Sequence, residues 1–368
     1  MATVNVQLGS RGYDIHVGRD LLQAAPLAAA LTSLLAGRRA LIVSDTTVKS
    51  LHGDALAAIF SRLDLAVAAF PAFPAGEGSK TLATVEALYH EAVACHLDRR
   101  AQVVAFGGGV VGDLAGFVAA TFMRGLDFIQ CPTTLLAMVD SSVGGKVGVD
   151  LAEGKNLVGA FHQPRAVFAD LSYLDTLPDR ELGCGLAEVV KYGVIMDPAF
   201  FAALQRGTGA LLARDAGVYE DVIAHCCRLK AQVVAEDERE TTGRRAMLNY
   251  GHTFGHALEV LGGYSVLNHG EGVAIGMCMA ADLAVSLGLA DPDLPKQQEA
   301  LLNGLRLPTR FPPHPGCTPE AVIRTMAHDK KAADGAISLI LPSALGSVQQ
   351  VSEVPPDLLK AAIGGRLE

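Results

Sequence analysis

Near the start of the chain apolar and polar residues alternate. TVNVQL and YDIHV, split by GSRG, have a period of two and predict a short hairpin. RALIVSD and AQVVAFGGG are continuous apolar runs bounded by turn residues, the pattern of strands covered on both faces. Between them LHGDALAAIFSRL and TLATVEALYHEAVACHL carry helical periodicity, so strands and helices alternate and a mostly parallel sheet is predicted. DFIQCP is a further strand. It leads to a glycine-rich stretch, SSVGGKVGVDLAEGKN, which is taken as loop, and then to AVFADLSYL. From about Thr176 the strand pattern stops. DRELGCGLAEVVKYGVI, EDVIAHCCRLKAQVVAEDERE and EGVAIGMCMAADLAV are helical, until AISLILP and GSVQQV predict a late hairpin before the last helix. The expected fold is an α/β Rossmann-like domain over residues 1–175, followed by a mainly α-helical domain over 176–368.

Composition narrows the class. At roughly 150 residues per domain, 368 residues suggest two domains. Half the residues are hydrophobic, 19% are charged, and 39 glycines with 17 prolines are ordinary usage, which excludes disordered, collagenous and low-complexity chains. A net charge of −9 provides no basic face for a nucleic-acid duplex or an anionic bilayer, so no nucleic-acid or membrane partner is expected. The opening MATVNVQLGSRG lacks the marks of a signal peptide, and the apolar runs break before the ~20 residues of a span. Seven scattered cysteines without a CxxC suit thiols in a reducing compartment, and a cytoplasmic protein is expected.

The strand AQVVAF runs into GGGVVGDLAGF, where Gly107, Gly109 and Gly112 satisfy GxGxxG between a strand and a helix. Such a turn lets backbone amides approach a pyrophosphate at a helix N-terminus. Asp127 lies at a plausible distance for a ribose contact but precedes its strand, and is set aside. Asp45 closes RALIVSD at the sheet edge where ligands sit, and is either a ribose acceptor or a helix N-cap.

GHTFGHALE spaces His252, His256 and Glu259 at i, i+4 and i+7, one face of a helix. Two imidazoles on one face suit a transition metal that needs a third ligand. Glu259 is the local nominee, although a surface ion pair would explain it as well. His269 in NHGEGVAIG and Glu188 in GLAEVVKYG compete, since a carboxylate among Ala and Val is costly to bury unless paired or metal-bound. Lys146, Lys155, Lys191, Lys230 and Arg245 stand in glycine-rich or apolar surroundings, where cations serve phosphate or carboxylate groups. Asp140 is placed to orient a hydroxyl or Lys146.

Together GGGVVGDLAGF, TFMRG, CPTTLLAMVDSSVGGKVGVD, GKNLVGAFHQP, LDTLPDRELGCGLAEVVKYG, LNYGHTFGHALE and HGEGVAIGM resemble the 3-dehydroquinate synthase family, in unbroken order over about residues 40 to 345. The resemblance implies a homodimer that uses NAD and a divalent metal, zinc or cobalt. It implies conversion of 3-deoxy-D-arabino-heptulosonate 7-phosphate, a phosphorylated keto-sugar acid, to 3-dehydroquinate and phosphate in the shikimate pathway. It names Glu188, His252 and His269 as metal ligands and leaves Glu259 out, so Glu259→Gln is expected to spare metal and activity. For NAD it implies Asp45, Glu77, Lys80, Gly108, Gly109, Val110, Asp113, Thr133, Thr134, Lys155, Leu174 and Thr176. Lys146, Asp140, Asn156, Glu240 and His256 would be catalytic. Arg124, reaching the phosphate from a neighbouring subunit, would bind substrate with Lys191, Lys230, Arg245, Asn249 and Lys330, Lys331 being the alternative to the last. Sister sugar phosphate cyclases, whose substrates lack the carboxylate, and metal-dependent polyol dehydrogenases are the rival readings.

Overall fold

The computed structural model describes residues 1–329 and 337–368. Lys330 and Lys331 lie outside the described residues. The chain divides into two compact units, Met1–Pro178 with Tyr219–Ala235, and Asp179–Val218 with Glu236–Glu368.

In the first unit the strands are β1 (Ala2–Val6), β2 (Tyr13–Gly18), β3 (Ala40–Asp45), β4 (Val67–Ala69), β5 (Ala72–Phe73), β6 (Gln102–Gly107), β7 (Asp127–Pro132), β8 (Lys146–Leu151), β9 (Gly154–Phe161) and β10 (Ala166–Asp170). One sheet runs in the order β1-β2-β10-β7-β6-β3-β4, with β5 also paired to β3, and every neighbouring pair except β1–β2 is parallel. The period of two decides which side each residue serves. Leu41, Val43, Val103, Ala105 and Phe128 pack against α3 (Leu82–Ala94) and α4 (Gly109–Thr121). Ile42, Val104, Phe106 and Ile129 pack against α1 (Ala25–Leu35) and α2 (Thr46–Arg62) on the other face. Since both faces are covered, the central strands are mostly apolar on both sides. The helix after β3 and the helix after β6 lie on opposite faces, so the order reverses between these two strands. Ligands of open α/β sheets sit at such a point.

The glycine-rich stretch is not a loop. It forms the antiparallel hairpin β8–β9, so Lys146, Lys155 and Asn156 stand on strands. Gly148 pairs with Gly159, and an added Cβ would stand 2.5 Å from Val158 O at Gly148 and 2.4 Å from Val147 O at Gly159. Close strand approach needs glycine here, and glycine conceals a strand from propensity.

The second unit contains α5 (Asp179–Ile195), α6 (Pro198–Leu212), α8 (His252–Leu261), α9 (His269–Ser286), α10 (Asp293–Gly304), α11 (Pro319–Asp329), the hairpin β11 (Leu339–Ala344) with β12 (Ser347–Val351), and α12 (Pro356–Gly364). Helix α7 (Ala216–Glu236) is grouped from Tyr219 to Ala235 with the first unit, whereas its helical pattern had placed it with the second half. Helix α9 is buried from Gly270 almost to its end and packs on α8, α5, α10, α12 and β11, which is why it is apolar all round. Its approach to α8 leaves no room for side chains. A Cβ on Gly276 would sit 2.0 Å from Gly251 O, and Gly251 itself has φ +79°. None of the seven cysteines forms a disulfide. Among the described residues no helix is long and apolar enough to cross a membrane.

Gly276→Ala must push backbone aside and is expected to destabilise the second unit by about 3 kcal/mol, the upper part of the overpacking range. Gly207→Ala, on α6 with nothing within 4 Å of the new methyl, should stabilise by about 0.5–1 kcal/mol. Urea unfolding followed by circular dichroism checks both signs, and equal midpoints would contradict the packing account.

Candidate metal centre and nucleotide turn

Strand β6 ends at Gly107 and Gly108 is the N-cap of α4, so the glycine turn opens directly onto a helix N-terminus. Thr133 N donates to Gly107 O at 3.0 Å, joining the end of β7 to the turn. The Thr133 hydroxyl is buried without a hydrogen bond, a polar group suited to a ligand at this edge. Thr134 Oγ1 accepts from Ala137 N, and Gly109 and Val110 form the first turn of α4. Asp45 closes β3 beside this turn and N-caps α2 by accepting from Val48 N at 2.8 Å, the second of its two sequence readings. Leu174 is buried. Thr176 Oγ1 lies 2.8 Å from His52 Nε2.

Beside the turn a charge cluster has formed around the buried Lys80. Lys80 Nζ lies 2.6 Å from Asp113 Oδ2 and 3.9 Å from Glu77 Oε1, and donates to Asn156 Oδ1. Burial works against the Lys80 ammonium, but Asp113 and Glu77 outweigh it and hold its pKa above the ordinary value. Asn156 takes φ +57°, and its amide donates to Asp150 Oδ1 at 2.7 Å. Lys155 is its half-buried neighbour on β9. Asp140, in a short π-helical turn, pairs with Lys230, whose Nζ reaches Asp140 Oδ1 at 2.8 Å and Asp140 O at 2.7 Å. Lys146 and Arg124 are exposed, and Arg124 lies in a left-handed stretch with Met123. Asp127 pairs with Arg38 and Arg165, a structural role.

In the second unit three helices bring their chemistry to one point. Glu188, on α5, is 0% exposed; His252 opens α8 and His269 opens α9. Their ligand atoms lie within 4.8 Å of one another. Glu188 Oε1 is 3.4 Å from His252 Nε2 and 3.7 Å from His269 Nε2, while Lys191 pairs with Oε2. Oε1 is buried and takes part in no hydrogen bond. Donors about 2.1 Å from a tetrahedral ion lie about 3.4 Å apart, so this spacing fits a metal. His252 Nδ1 is 3.1 Å from Tyr250 O, a pure acceptor, so that nitrogen carries the proton and Nε2 presents a lone pair. Burial, with the charges of Lys191, His269 and His256 nearby, keeps the His252 pKa well below its usual value and the ring neutral. Two imidazoles and one carboxylate leave a coordination position open, as catalytic zinc or cobalt sites do.

Local sequence explains the convergence. An added Cβ on Gly270 would be 2.3 Å from Cys184 O, and Cys184 is one turn before Glu188, so glycine lets the start of α9 touch α5. Asn268 and Glu271 form a capping box, and Arg180 of α5 grips Glu271 at 2.8 and 2.6 Å. The N-x-x-E spacing was legible but unread. His256 joins the imidazole cluster, its ring centroid 5.5 Å from His252 and 5.9 Å from His269. Glu259 is not on the surface: it is 3% exposed, with Oε1 3.0 Å from His269 Nδ1. Arg245 is buried, its Nε 3.5 Å from Glu240 Oε1. Asp237, overlooked in the sequence, accepts from the amides of Thr241, Thr242 and Arg245. Asn249 is exposed at the end of the turn before α8.

The model of the 3-dehydroquinate synthase N-terminal region matches residues 71–184, and that of the C-terminal region matches residues 185–332. The chain belongs to the 3-dehydroquinate synthase family. It is 50% identical to 3-dehydroquinate synthase of Rhodospirillum rubrum, covering 94% of this chain and 90% of that one. Against the Methylococcus capsulatus 3-dehydroquinate synthase identity is 47%, covering 99% of each. Among solved structures, 2-deoxy-scyllo-inosose synthase, complexed with carbaglucose-6-phosphate, NAD+ and Co2+, superposes with a TM-score of 0.89 at 29% identity over all of both chains. A 2-epi-5-epi-valiolone synthase from Streptomyces hygroscopicus with NAD+ and Zn2+ gives 0.88 at 30% identity, covering 99% of this chain and 98% of that one. A probable glycerol dehydrogenase from Sinorhizobium meliloti, 18% identical with a TM-score of 0.62 over 95% of each chain, shares the fold alone.

Glu188→Gln and His252→Ala are each expected to weaken divalent-ion affinity by more than the about 10–100-fold that outer partners of a ligand contribute. Cobalt titration of the metal-free protein reads this directly. Wild-type affinity in either variant would disprove the assignment.

Proposed function

We propose that this enzyme converts 3-deoxy-D-arabino-heptulosonate 7-phosphate to 3-dehydroquinate and phosphate, as a cytoplasmic homodimer in the shikimate pathway. The reading is carried by 44–50% identity to 3-dehydroquinate synthases over nearly the whole chain, against 28–30% to the sister cyclases. NAD bound at the turn before α4 would supply reversible hydride transfer, and a zinc or cobalt ion held by Glu188, His252 and His269 would supply Lewis acidity toward a substrate hydroxyl.

The chain's own residues do the rest. Gly108, Gly109 and Val110, at the N-terminus of α4, meet the NAD pyrophosphate, and Thr133 offers its otherwise unbonded hydroxyl. Asp45, Glu77, Lys80, Asp113, Thr134, Lys155, Leu174 and Thr176 complete the cofactor's surroundings. Lys80, kept charged by two carboxylates, holds Asn156 in place. Glu188, His252 and His269 hold the metal. Lys146, Asn156, Lys191, Lys230, Arg245 and Asn249 meet the substrate's carboxylate, phosphate and hydroxyls, with Arg124 supplied by the neighbouring subunit and Lys330 outside the described residues. The acidic chain thus supplies positive charge locally. Asp140 orients Lys230, and His256 and Glu240 hold and move protons as the C6 proton and the phosphate leave.

Purified protein with the heptulosonate phosphate, catalytic NAD and zinc or cobalt should release one phosphate for each carbocycle formed, with no net NADH. Phosphate assay, mass spectrometry and absorbance follow these three quantities. Stoichiometric NADH would mark a polyol dehydrogenase, and turnover of glucose 6-phosphate a sister cyclase. Lys146→Ala should lower kcat by about 10²–10³, the usual effect of losing one charge-stabilising group; near-normal rates in a folded variant would contradict its role.

A further inference from the structure

Glu259 has no role in the reading above, yet its carboxylate is 3% exposed. It stands on α8, on the same face as His252 and His256, and reaches the ring that opens α9. A buried carboxylate is costly unless paired. Its partner is His269, with Glu259 Oε1 3.0 Å from His269 Nδ1. Room for the carboxylate comes from Gly272, where an added Cβ would stand 3.3 Å from Glu259 Oε1.

Distance separates two possible roles. His256, Glu259 and His269 also place their ligand atoms within 4.8 Å of one another, so Glu259 is a conceivable ligand. But 3.0 Å is the ordinary N–H···O separation, whereas the Nε2 atoms of His252 and His269 lie 3.4 and 3.7 Å from Glu188 Oε1, the spacing of two donors around one ion. A carboxylate only accepts, so His269 Nδ1 carries the proton and Nε2 is left with its lone pair toward Glu188. The two imidazoles are held alike at Nδ1, His252 by the carbonyl of Tyr250 and His269 by a charged group. Both rings open helices, where the partial positive charge of the N-terminus makes an imidazole a poorer donor, and His269 is the more exposed of the two, 32% against 14%. A carboxylate at Nδ1 restores basicity and fixes the ring plane.

We infer that Glu259 is a positioning residue that locks the tautomer and orientation of His269 for the divalent ion, and not a ligand. The inference rests on the reading that Glu188, His252 and His269 hold the metal. Its consequence replaces the expectation that Glu259→Gln is silent.

Cobalt added to the metal-free full-length protein, followed by visible absorption and chelator competition, is the test. Glu259→Ala should weaken cobalt binding about 10–100-fold, keep the wild-type band pattern and retain the fold by circular dichroism. Glu259→Gln keeps a neutral acceptor and should lose less than Glu259→Ala, but measurably. Wild-type affinity in Glu259→Gln and Glu259→Ala overturns the inference. So does a loss beyond about a thousandfold with a changed band pattern, which would make Glu259 a ligand. If Glu259→Ala does not fold, the Glu259→Gln titration decides alone, unchanged affinity again overturning it. Glu188→Gln serves as reference: wild-type affinity there would defeat the metal reading itself, whereas its loss beside intact Glu259 variants would defeat only the inference.

Discussion

A carboxylate with no exposed surface constrains everything around it. Moving such an ion out of water has an idealised cost on the order of 20 kcal/mol, and several kcal/mol remain after relaxation. Glu188 meets this with Lys191 at one oxygen and turns the other toward two imidazole nitrogens. That second oxygen accepts no hydrogen bond, which is where a divalent ion fits. Three helices must therefore converge within a few ångströms, and much of the second unit's composition follows from that demand.

The convergence relies on missing side chains. Glycines at 251, 255, 272 and 276 let α8 and α9 touch backbone to backbone, and Gly270 does the same between α9 and α5. The capping box at Asn268 and Glu271, held by Arg180, then sets where α9 begins, and so where His269 stands. Ligands placed on helix starts, each with its outer nitrogen anchored, need little rearrangement to receive an ion. Packing and chemistry are one problem here: the glycines that look like breaks in helical pattern are what permit the site.

The first unit gathers positive charge locally within an acidic chain. Its glycine turn uses backbone amides, which need no side-chain charge. Its cations are held by neighbouring carboxylates, Lys80 by Asp113 and Glu77 and Lys230 by Asp140, so each side chain is fixed in direction. Asp150, through the amide of left-handed Asn156, steadies the residue that Lys80 grips.

Much of this was written in the chain. Continuous apolar runs marked the buried parallel strands, GxGxxG between strand and helix marked the turn, and the long motifs marked the family. Three things required the tertiary structure. The β8–β9 hairpin was hidden because its close pairing selects glycine, which reads as loop. The return of Tyr219–Ala235 to the first unit depends on long-range packing that helical periodicity does not encode. The role of Glu259 was undecidable from spacing: i, i+4, i+7 puts it on the face of His252 and His256, but only the approach of α9 puts His269 Nδ1 at its oxygen. Sequence determines local conformation and chemical inventory, because those depend on neighbours in the chain. Partnership across helices is decided by packing, where a shift of half an ångström separates a hydrogen bond from a ligand pair.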